Sequence, residues 1–455
     1  MNLAANQLKQ FFSNEELLTE PEQCWAYGYD NSMQHALPDA VISPKTTQQI
    51  QQAIKICHEH KVPFTVRGRG TNTTGAVVPI NGGVVCVLEN FNQILELNIA
   101  DRYIVVQAGI TNQAIQDYAK KEGFFWAPDP TSSSYCTIGG NLACNAGGPR
   151  AIKYGTCREN VLGLKAITGF GDEITTGVYT TKGAVGYDLT RLLVGSEGTL
   201  AITTEAILKL TPLPEAKATL QAYYKNIAAA TDAIANIMRQ PITPCVLEFI
   251  DNNCLEIIRQ AGKVSLPADA QAMLLFEVDG PKNQISQLAE SIKLSAQNKD
   301  LIKIELAKTE SEIATLWQTR KALSPALRQI APKKINEDVV VPVSKIPELI
   351  QTLDQLAQEY QIKIVNFGHA GNGNIHVNLL INPDDKKQAE AAEICLDKLF
   401  RLVIKLKGTL SGEHGVGLAK KAFVPLAIDP VSLELMHKIK QQFDPNNILN
   451  PGKAF

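Results

Sequence analysis

A chain of 455 residues is too long for one hydrophobic core and calls for two or three domains. Its 45% hydrophobic and 20% charged residues, with 31 Gly and 23 Pro spread along the chain, exclude the disordered and collagen-like classes. A formal net charge of −2 with no basic stripe excludes a nucleic-acid-binding footprint and leaves small-molecule chemistry. No apolar run is long enough to span a membrane, and Met1 to Glu20 lacks both a basic start and an apolar centre. The expectation is a cytoplasmic protein, with a peripheral place at the inner membrane face as the alternative. Nine scattered cysteines without a C-x-x-C pair read as reduced thiols serving as small buried side chains.

In chain order, Ile50 to His58 has helical periodicity, whereas Val62 to Val66, Val84 to Leu88 and Ile104 to Ala108 are β-branched runs of strand type. Directly after the first strand comes RGRGTNTTG: Arg67, Gly68, Arg69, Gly70, Thr71, Asn72, Thr73, Thr74 and Gly75. Glycines let backbone N–H groups approach an anion, and the hydroxyls add donors, so a pyrophosphate would suit this loop. It is neither a Walker loop nor G-x-G-x-x-G, and taken alone it is also an ordinary tight turn. Two further glycine-dense segments, Thr137 to Arg150 and Tyr187 to Ile202, suggest a backbone-lined cleft for an extended cofactor. The prolines in Thr211 to Glu215 mark a domain boundary. Beyond it, strand-like Ala272 to Val278, helical Asn283 to Asn298, a strand, helical Glu310 to Ala322 and strand-like Glu337 to Val343 predict an antiparallel sheet covered by helices.

Three of the seven histidines, His369, His376 and His414, cluster near the C-terminus in glycine-rich text. His369 and His376 are an odd number apart, so one straight strand would point them to opposite sides. The turn signal AGNGNI between them predicts a hairpin that brings the rings together, with Asn378 on the face of His376. SGEHGVG then sets Glu413 beside His414. Two histidines and a carboxylate make an open three-ligand set for Zn²⁺ or Mn²⁺, although any one histidine taken singly reads more readily as a polar turn residue.

The glycine-rich segments together resemble the FAD-binding domain of the vanillyl-alcohol oxidase and p-cresol methylhydroxylase superfamily. GHAGNGNIHVN and SGEHGVG resemble the C-terminal domain of FAD-linked 2-hydroxy acid dehydrogenases: D-lactate dehydrogenase, D-2-hydroxyglutarate dehydrogenase and the glycolate oxidase catalytic subunit. The resemblance implies an α+β fold with a two-part FAD-binding domain (1–213), a substrate domain with a helix-covered antiparallel sheet (214–410) and a C-terminal segment returning to the FAD domain (411–455). It implies that residues 67–75 wrap the pyrophosphate. Pro128, Asp129, Pro130 and Ser132, with Thr137, Gly139, Gly140, Asn141 and Asn145, would line the flavin and its adenosine side. Gly147, Tyr154 and Gly155 extend that set, and Glu197, Gly198 and Ile202 would close it. No histidine in the pyrophosphate loop is available to tether the flavin, so FAD should be non-covalent. By the same resemblance His369, His376 and Glu413 hold the metal, His414 is the general base, Asn378 touches substrate, and Arg320 with Ser324 meets the substrate carboxylate, with Lys334 as a further contact.

The implied reaction is oxidation of a D-2-hydroxy acid to the 2-keto acid, with metal-assisted deprotonation and hydride transfer to flavin N5. The cysteines support no iron–sulfur centre, so a separate acceptor is implied: a quinone, an electron-transferring flavoprotein or an iron–sulfur subunit. A homodimer is compatible with the sequence. The competing expectations are a non-redox flavoenzyme of the alkylglycerone-phosphate synthase type and a non-catalytic flavin-binding subunit.

Overall fold

The computed structural model describes residues 2–262, 265–307 and 309–455, apart from the side chains at 2, 3, 319, 321, 322, 324, 325, 328 and 329. It divides into two compact units. The first comprises Met1–Gly148, Gly155–Leu213 and Glu413–Phe455, and the second Pro149–Tyr154 and Pro214–Gly412.

In the first unit, β1 (Leu17–Leu18), β2 (Ala40–Ile42), β3 (Phe64–Arg67) and β4 (Val84–Val87) form a sheet in the order β1-β2-β4-β3. Strand β4 runs parallel to both β2 and β3 and is buried along its whole length, as a strand covered on both faces must be. The crossover from β2 to β3 is the helix Thr47–His60, which starts earlier than its apolar periodicity because Thr46 and Gln49 form a capping box. Its buried stripe Ile50, Ala53, Ile54 and Cys57 packs with Phe64, Val84 and Cys86. The chain terminus returns to the same sheet, where Phe64 N–H donates to Ile448 O at 2.7 Å and Asn450 N–H to Phe64 O at 2.8 Å.

A second, antiparallel sheet contains β5 (Ile94–Asn98), β6 (Tyr103–Gln107), β8 (Val161–Thr168), β9 (Glu173–Gly177) and β10 (Ala201–Lys209), in the order β5-β6-β10-β8-β9. The two-residue β7 (Phe124–Phe125) pairs separately with β11 (Thr211–Pro212).

The second unit is built on one seven-stranded sheet. Its strands are β12 (Ala216–Tyr224), β13 (Val246–Asp251), β14 (Ala272–Gly280), β15 (Leu301–Leu306), β16 (Lys333–Val340), β17 (Lys363–His369) and β18 (Asn374–Ile381), in the order β15-β12-β14-β13-β17-β18-β16. Every neighbouring pair is antiparallel. Directly opposed residues share a face, so the register assigns the faces without further assumption. On one face Phe249, Leu274, Phe276, Val377 and Leu379 are buried apolar residues. On the other face Ile250, Met273, Leu275, Val365 and Phe367 cluster with Leu255 and Ile258 of the helix Asn252–Ala261 and with Leu323 and Leu327 of the helix Glu310–Ile330. The expected α+β architecture, with an antiparallel sheet covered by helices in one unit and two sheets in the other, is the one observed. No helix among the described residues is long and apolar enough to cross a membrane.

Candidate active site

Three backbone-lined segments converge within the first unit. Strand β3 ends at Arg67, and the loop after it turns at Gly70 and Gly75, whose φ values of +64° and +81° favour glycine. Asn72 organises the turn: its Oδ1 accepts from Thr74 N at 2.7 Å and Thr74 Oγ1 at 2.7 Å. Gly68 abuts the Thr137 hydroxyl so closely that any Cβ there would clash with it. Thr137 caps the short helix Ile138–Cys144 by accepting from Gly140 N at 3.3 Å. Gly139 N–H donates to Ala108 O at 2.7 Å, and a Cβ on Gly139 would lie 3.0 Å from the Ala108 Cβ.

Pro128 and Pro130 belong to an adjoining turn, where Pro128 O accepts from Asn112 Nδ2 at 3.0 Å and Pro130 O from Ser133 N at 2.9 Å. Asp129 N–H donates to Gly147 O at 3.0 Å, Ser132 O accepts from Tyr135 N at 2.8 Å, and Asn112 ties to Asn141 Oδ1 at 3.1 Å. Asn145, left-handed at φ +52°, accepts from Thr156 Oγ1 and Arg158 N, both at 2.9 Å.

The donor set suits a dinucleotide. Thr73 Oγ1 is buried without a partner among the described residues, in a loop whose glycines bring backbone close, which is what an anionic ligand would complete. Two arginines of the motif are engaged elsewhere. Arg67 is buried and donates to Tyr29 O at 2.5 Å, and Arg69 pairs with Glu89 at 3.1 Å. Of the remaining expected contacts, Ile202 is packed in the core of the first sheet, and Gly155 has φ +79°. Tyr154 lies in the second unit, where its hydroxyl donates to Asp279 Oδ2 at 2.7 Å.

The segment carrying Glu413 and His414 folds onto the same loop. Asn72 Nδ2 donates to His414 O at 2.8 Å, and Leu418 N–H donates to Thr74 O at 2.8 Å. Gly415 and Gly417 follow in left-handed backbone, at φ +83° and +52°, and bend the segment after His414. Glu197, buried and itself at φ +54°, accepts from Val416 N at 2.6 Å and Gly417 N at 2.8 Å. Burial pushes its carboxyl up despite those two bonds and the nearby Lys420 and Lys453. Gly198, at φ +69°, has nothing within 4 Å of where a Cβ would sit.

In the second unit the hairpin β17–β18 forms, turning through Gly373 at φ +75°. His369 faces Asn374 and Phe367 faces His376, so both histidines occupy one face. Their rings meet edge to face with centroids 5.2 Å apart, and their nitrogens come within 4.8 Å. Asn378 shares that face and is fully buried; its Nδ2 donates to His376 O at 2.9 Å and Val365 O at 3.3 Å, while its Oδ1 has no partner among the described residues. Across β16 the register adds Asn336 opposite Asn378, Asp338 opposite His376, and Lys334, exposed, opposite Leu380. Asp338 Oδ2 accepts from Gly412 N at 2.9 Å, so the residue before Glu413 is anchored beside the strand of His376.

Arg320 projects from the helix Glu310–Ile330 with its guanidinium 4.5 Å from the Phe367 ring centroid. Its Nε donates to Glu248 Oε2 at 2.8 Å, and the other oxygen of Glu248 accepts from His369 Nδ1. Burial alone would push the Glu248 carboxyl up, but the His369 ring and the Arg320 guanidinium hold it well below the usual carboxylate range. The side chain of Ser324 lies outside the described residues.

Glu248, Asn336 and Asp338 were not expected at the site. One signal was available for Glu248: a single charge inside the apolar run VLEFI must be paired if that strand is buried. Its partners, 72 and 121 residues away, leave no local trace.

Residues 213–454 match the family model described as FAD linked oxidases, C-terminal domain, and residues 38–177 match the FAD binding domain. The chain is 41% identical to the glycolate oxidase subunit GlcD of Bacillus subtilis over 94% of its length and 92% of that protein. It is 31% identical to a D-lactate dehydrogenase of Anaerostipes hadrus (92% of this chain, 90% of that one) and 31% identical to a D-2-hydroxyglutarate dehydrogenase of Stutzerimonas stutzeri (99% and 98%). In fold it is similar to p-cresol methylhydroxylase, with a TM-score of 0.80 at 17% identity covering 100% of this chain and 96% of the other. An alkyldihydroxyacetonephosphate synthase has the same fold, with a TM-score of 0.77 at 18% identity, covering 100% and 86%.

Proposed function

The chain belongs to the FAD-linked oxidases, and from that membership we propose that it dehydrogenates a D-2-hydroxy acid of the D-lactate, glycolate or D-2-hydroxyglutarate type to the 2-keto acid. The observation that carries this reading is the polar face of the second unit's sheet. There two histidines in mutual contact, an arginine and a buried amide oxygen come together with Glu248, Asn336 and Asp338 on one face.

His369, His376 and Glu413 would hold a divalent ion, Zn²⁺ or Mn²⁺, which supplies the Lewis acidity that an unactivated alcohol requires before imidazole can deprotonate it at neutral pH. FAD, held non-covalently in the first unit, would supply the acceptor for the α-hydrogen and its electron pair. Arg320 fixes the substrate carboxylate, because its planar fork matches two oxygens at once. Asn378 would touch the substrate beside these groups, its amide protons being taken by backbone carbonyls. His414 takes the hydroxyl proton, its main chain held by Asn72.

Electrons then pass to a separate acceptor: a quinone, an electron-transferring flavoprotein or an iron–sulfur subunit. The Bacillus subtilis relative is named as a subunit, which supports an acceptor on another chain. The alternative, a non-redox flavoenzyme, finds support in the likeness of fold to an alkyldihydroxyacetonephosphate synthase and in that alone.

The test is anaerobic titration of the purified flavoprotein with D- and L-2-hydroxy acids, followed by flavin absorbance. Bleaching by at least one D-enantiomer or by glycolate is expected. A flavin that dithionite reduces but no 2-hydroxy acid bleaches would refute the reading.

A further inference from the structure

Strand β13 is buried at every position, and Glu248 stands in it where a carboxylate is strongly destabilising unless both oxygens are matched. They are matched by two different residues. Oε1 accepts the Nδ1 proton of His369, its direct cross-strand partner, and Oε2 accepts the Nε proton of Arg320 at 2.8 Å. The Phe367 ring holds the guanidinium from another side, and Phe367 is in turn the cross-strand partner of His376.

We propose that Glu248 is a positioning residue that couples metal and substrate binding. By taking the Nδ1 proton of His369 it puts the imidazole lone pair on Nε2 for a divalent cation, and by taking the Nε proton of Arg320 it aims the guanidinium fork at a carboxylate. The claim rests on the site reading above and adds to it: one buried anion sets both the tautomer of a ligand and the direction of the anion-binding cation. An ion pair that only fastened the helix Glu310–Ile330 to the sheet would be indifferent to which imidazole nitrogen carries the proton.

The first measurement needs no variant at position 248. In full-length protein labelled with ¹⁵N-histidine and stripped of metal by a chelator, neutral His369, assigned by comparison with His369→Asn, is expected in the Nδ1–H tautomer. An Nε2–H tautomer overturns the proposal. The second measurement is Glu248→Gln, whose amide cannot accept from both partners. Zn²⁺ affinity by chelator competition should fall about 10- to 100-fold, the usual range for such an outer partner. KM for the bleaching 2-hydroxy acid should rise about tenfold or more, with FAD content unchanged, and Glu248→Asp should recover part of both. Wild-type Zn²⁺ affinity and KM in Glu248→Gln would overturn the proposal. His376→Ala separates the two claims. If it loses Zn²⁺ while Glu248→Gln keeps it, only the role of Glu248 fails; if it keeps Zn²⁺, the metal reading itself fails and the proposal with it.

Discussion

The carboxylate of Glu197 accepts the backbone N–H of Val416 at 2.6 Å across 219 residues of sequence. Its second oxygen takes the N–H of Gly417, so one buried side chain holds the downstream end of the segment that carries Glu413 and His414. Removing an acceptor from a buried N–H costs about 1–3 kcal/mol. Glu197→Ala is therefore expected to lower the free energy of unfolding by about 2 kcal/mol or more and to slow substrate-dependent bleaching, while Glu197→Gln, which keeps one carbonyl oxygen, falls between. Unchanged stability and bleaching in the alanine variant would show that the segment is held by other means.

Flavin retention tests the glycine loop. Gly70 has φ +64° and its missing Cβ would run into the Arg67 guanidinium, so Gly70→Val is strained by backbone and by contact together. The purified variant should be colourless, whereas wild-type protein should release all its FAD into the supernatant on acid or heat precipitation. Yellow precipitate from the wild type would argue for a covalent flavin, and full flavin content in Gly70→Val would remove that loop from the site.

Metal analysis distinguishes ligand from base. Alanine at His369, His376 or Glu413 should each remove most bound metal together with most activity, as members of one unit. His414→Ala should keep metal and FAD yet slow flavin reduction by about two to four orders of magnitude. A His414→Ala protein that loses metal like the other three would make it a ligand and leave the base to be found elsewhere.

Lys453 makes a pH prediction of definite sign. It is buried, donates to Asn450 Oδ1 at 2.7 Å, and burial pushes its ammonium down to about 8. With the folded value below the ordinary 10.5, the unfolded chain binds more protons between pH 8 and 10.5. Stability from this group therefore rises with pH across that window and is lowest below pH 8. At about 1.4 kcal/mol per unit the effect is on the order of 3 kcal/mol. Urea midpoints of wild type relative to Lys453→Met should show the wild type gaining on the variant between pH 8 and 10.5. A gap that stays flat across that range would mean that Lys453 titrates normally.

Much of the fold was legible because its signals are local. Strand-like Val84 to Leu88 and Ile104 to Ala108 correspond to β4 and β6 within a residue at each end, since a β-branched run needs only its own side chains to declare itself. The hairpin β17–β18 followed from its turn glycines and from the strand text on both sides of them. Where packing overrides local preference, the boundaries moved. The helix expected over Glu310 to Ala322 runs on to Ile330, through Pro325, because Leu323, Ala326 and Leu327 are buried against the sheet. The strand expected over Glu337 to Val343 is instead Lys333–Val340, because its register is set by the eight residues of β18.

What composition and spacing determined by themselves was the chemistry of the parts: glycine loops suited to a dinucleotide, and histidines grouped near a carboxylate. Which side chains act on one another was decided by the tertiary structure alone. Glu248 meets His369 and Arg320 because β13 lies beside β17 and one helix crosses the same face, and a hydrogen bond requires approach within about 3 Å that no periodicity encodes. The same reason gives Arg67 to Tyr29 and Tyr154 to Asp279, since a buried polar group must find a partner and only the folded chain determines which one is near.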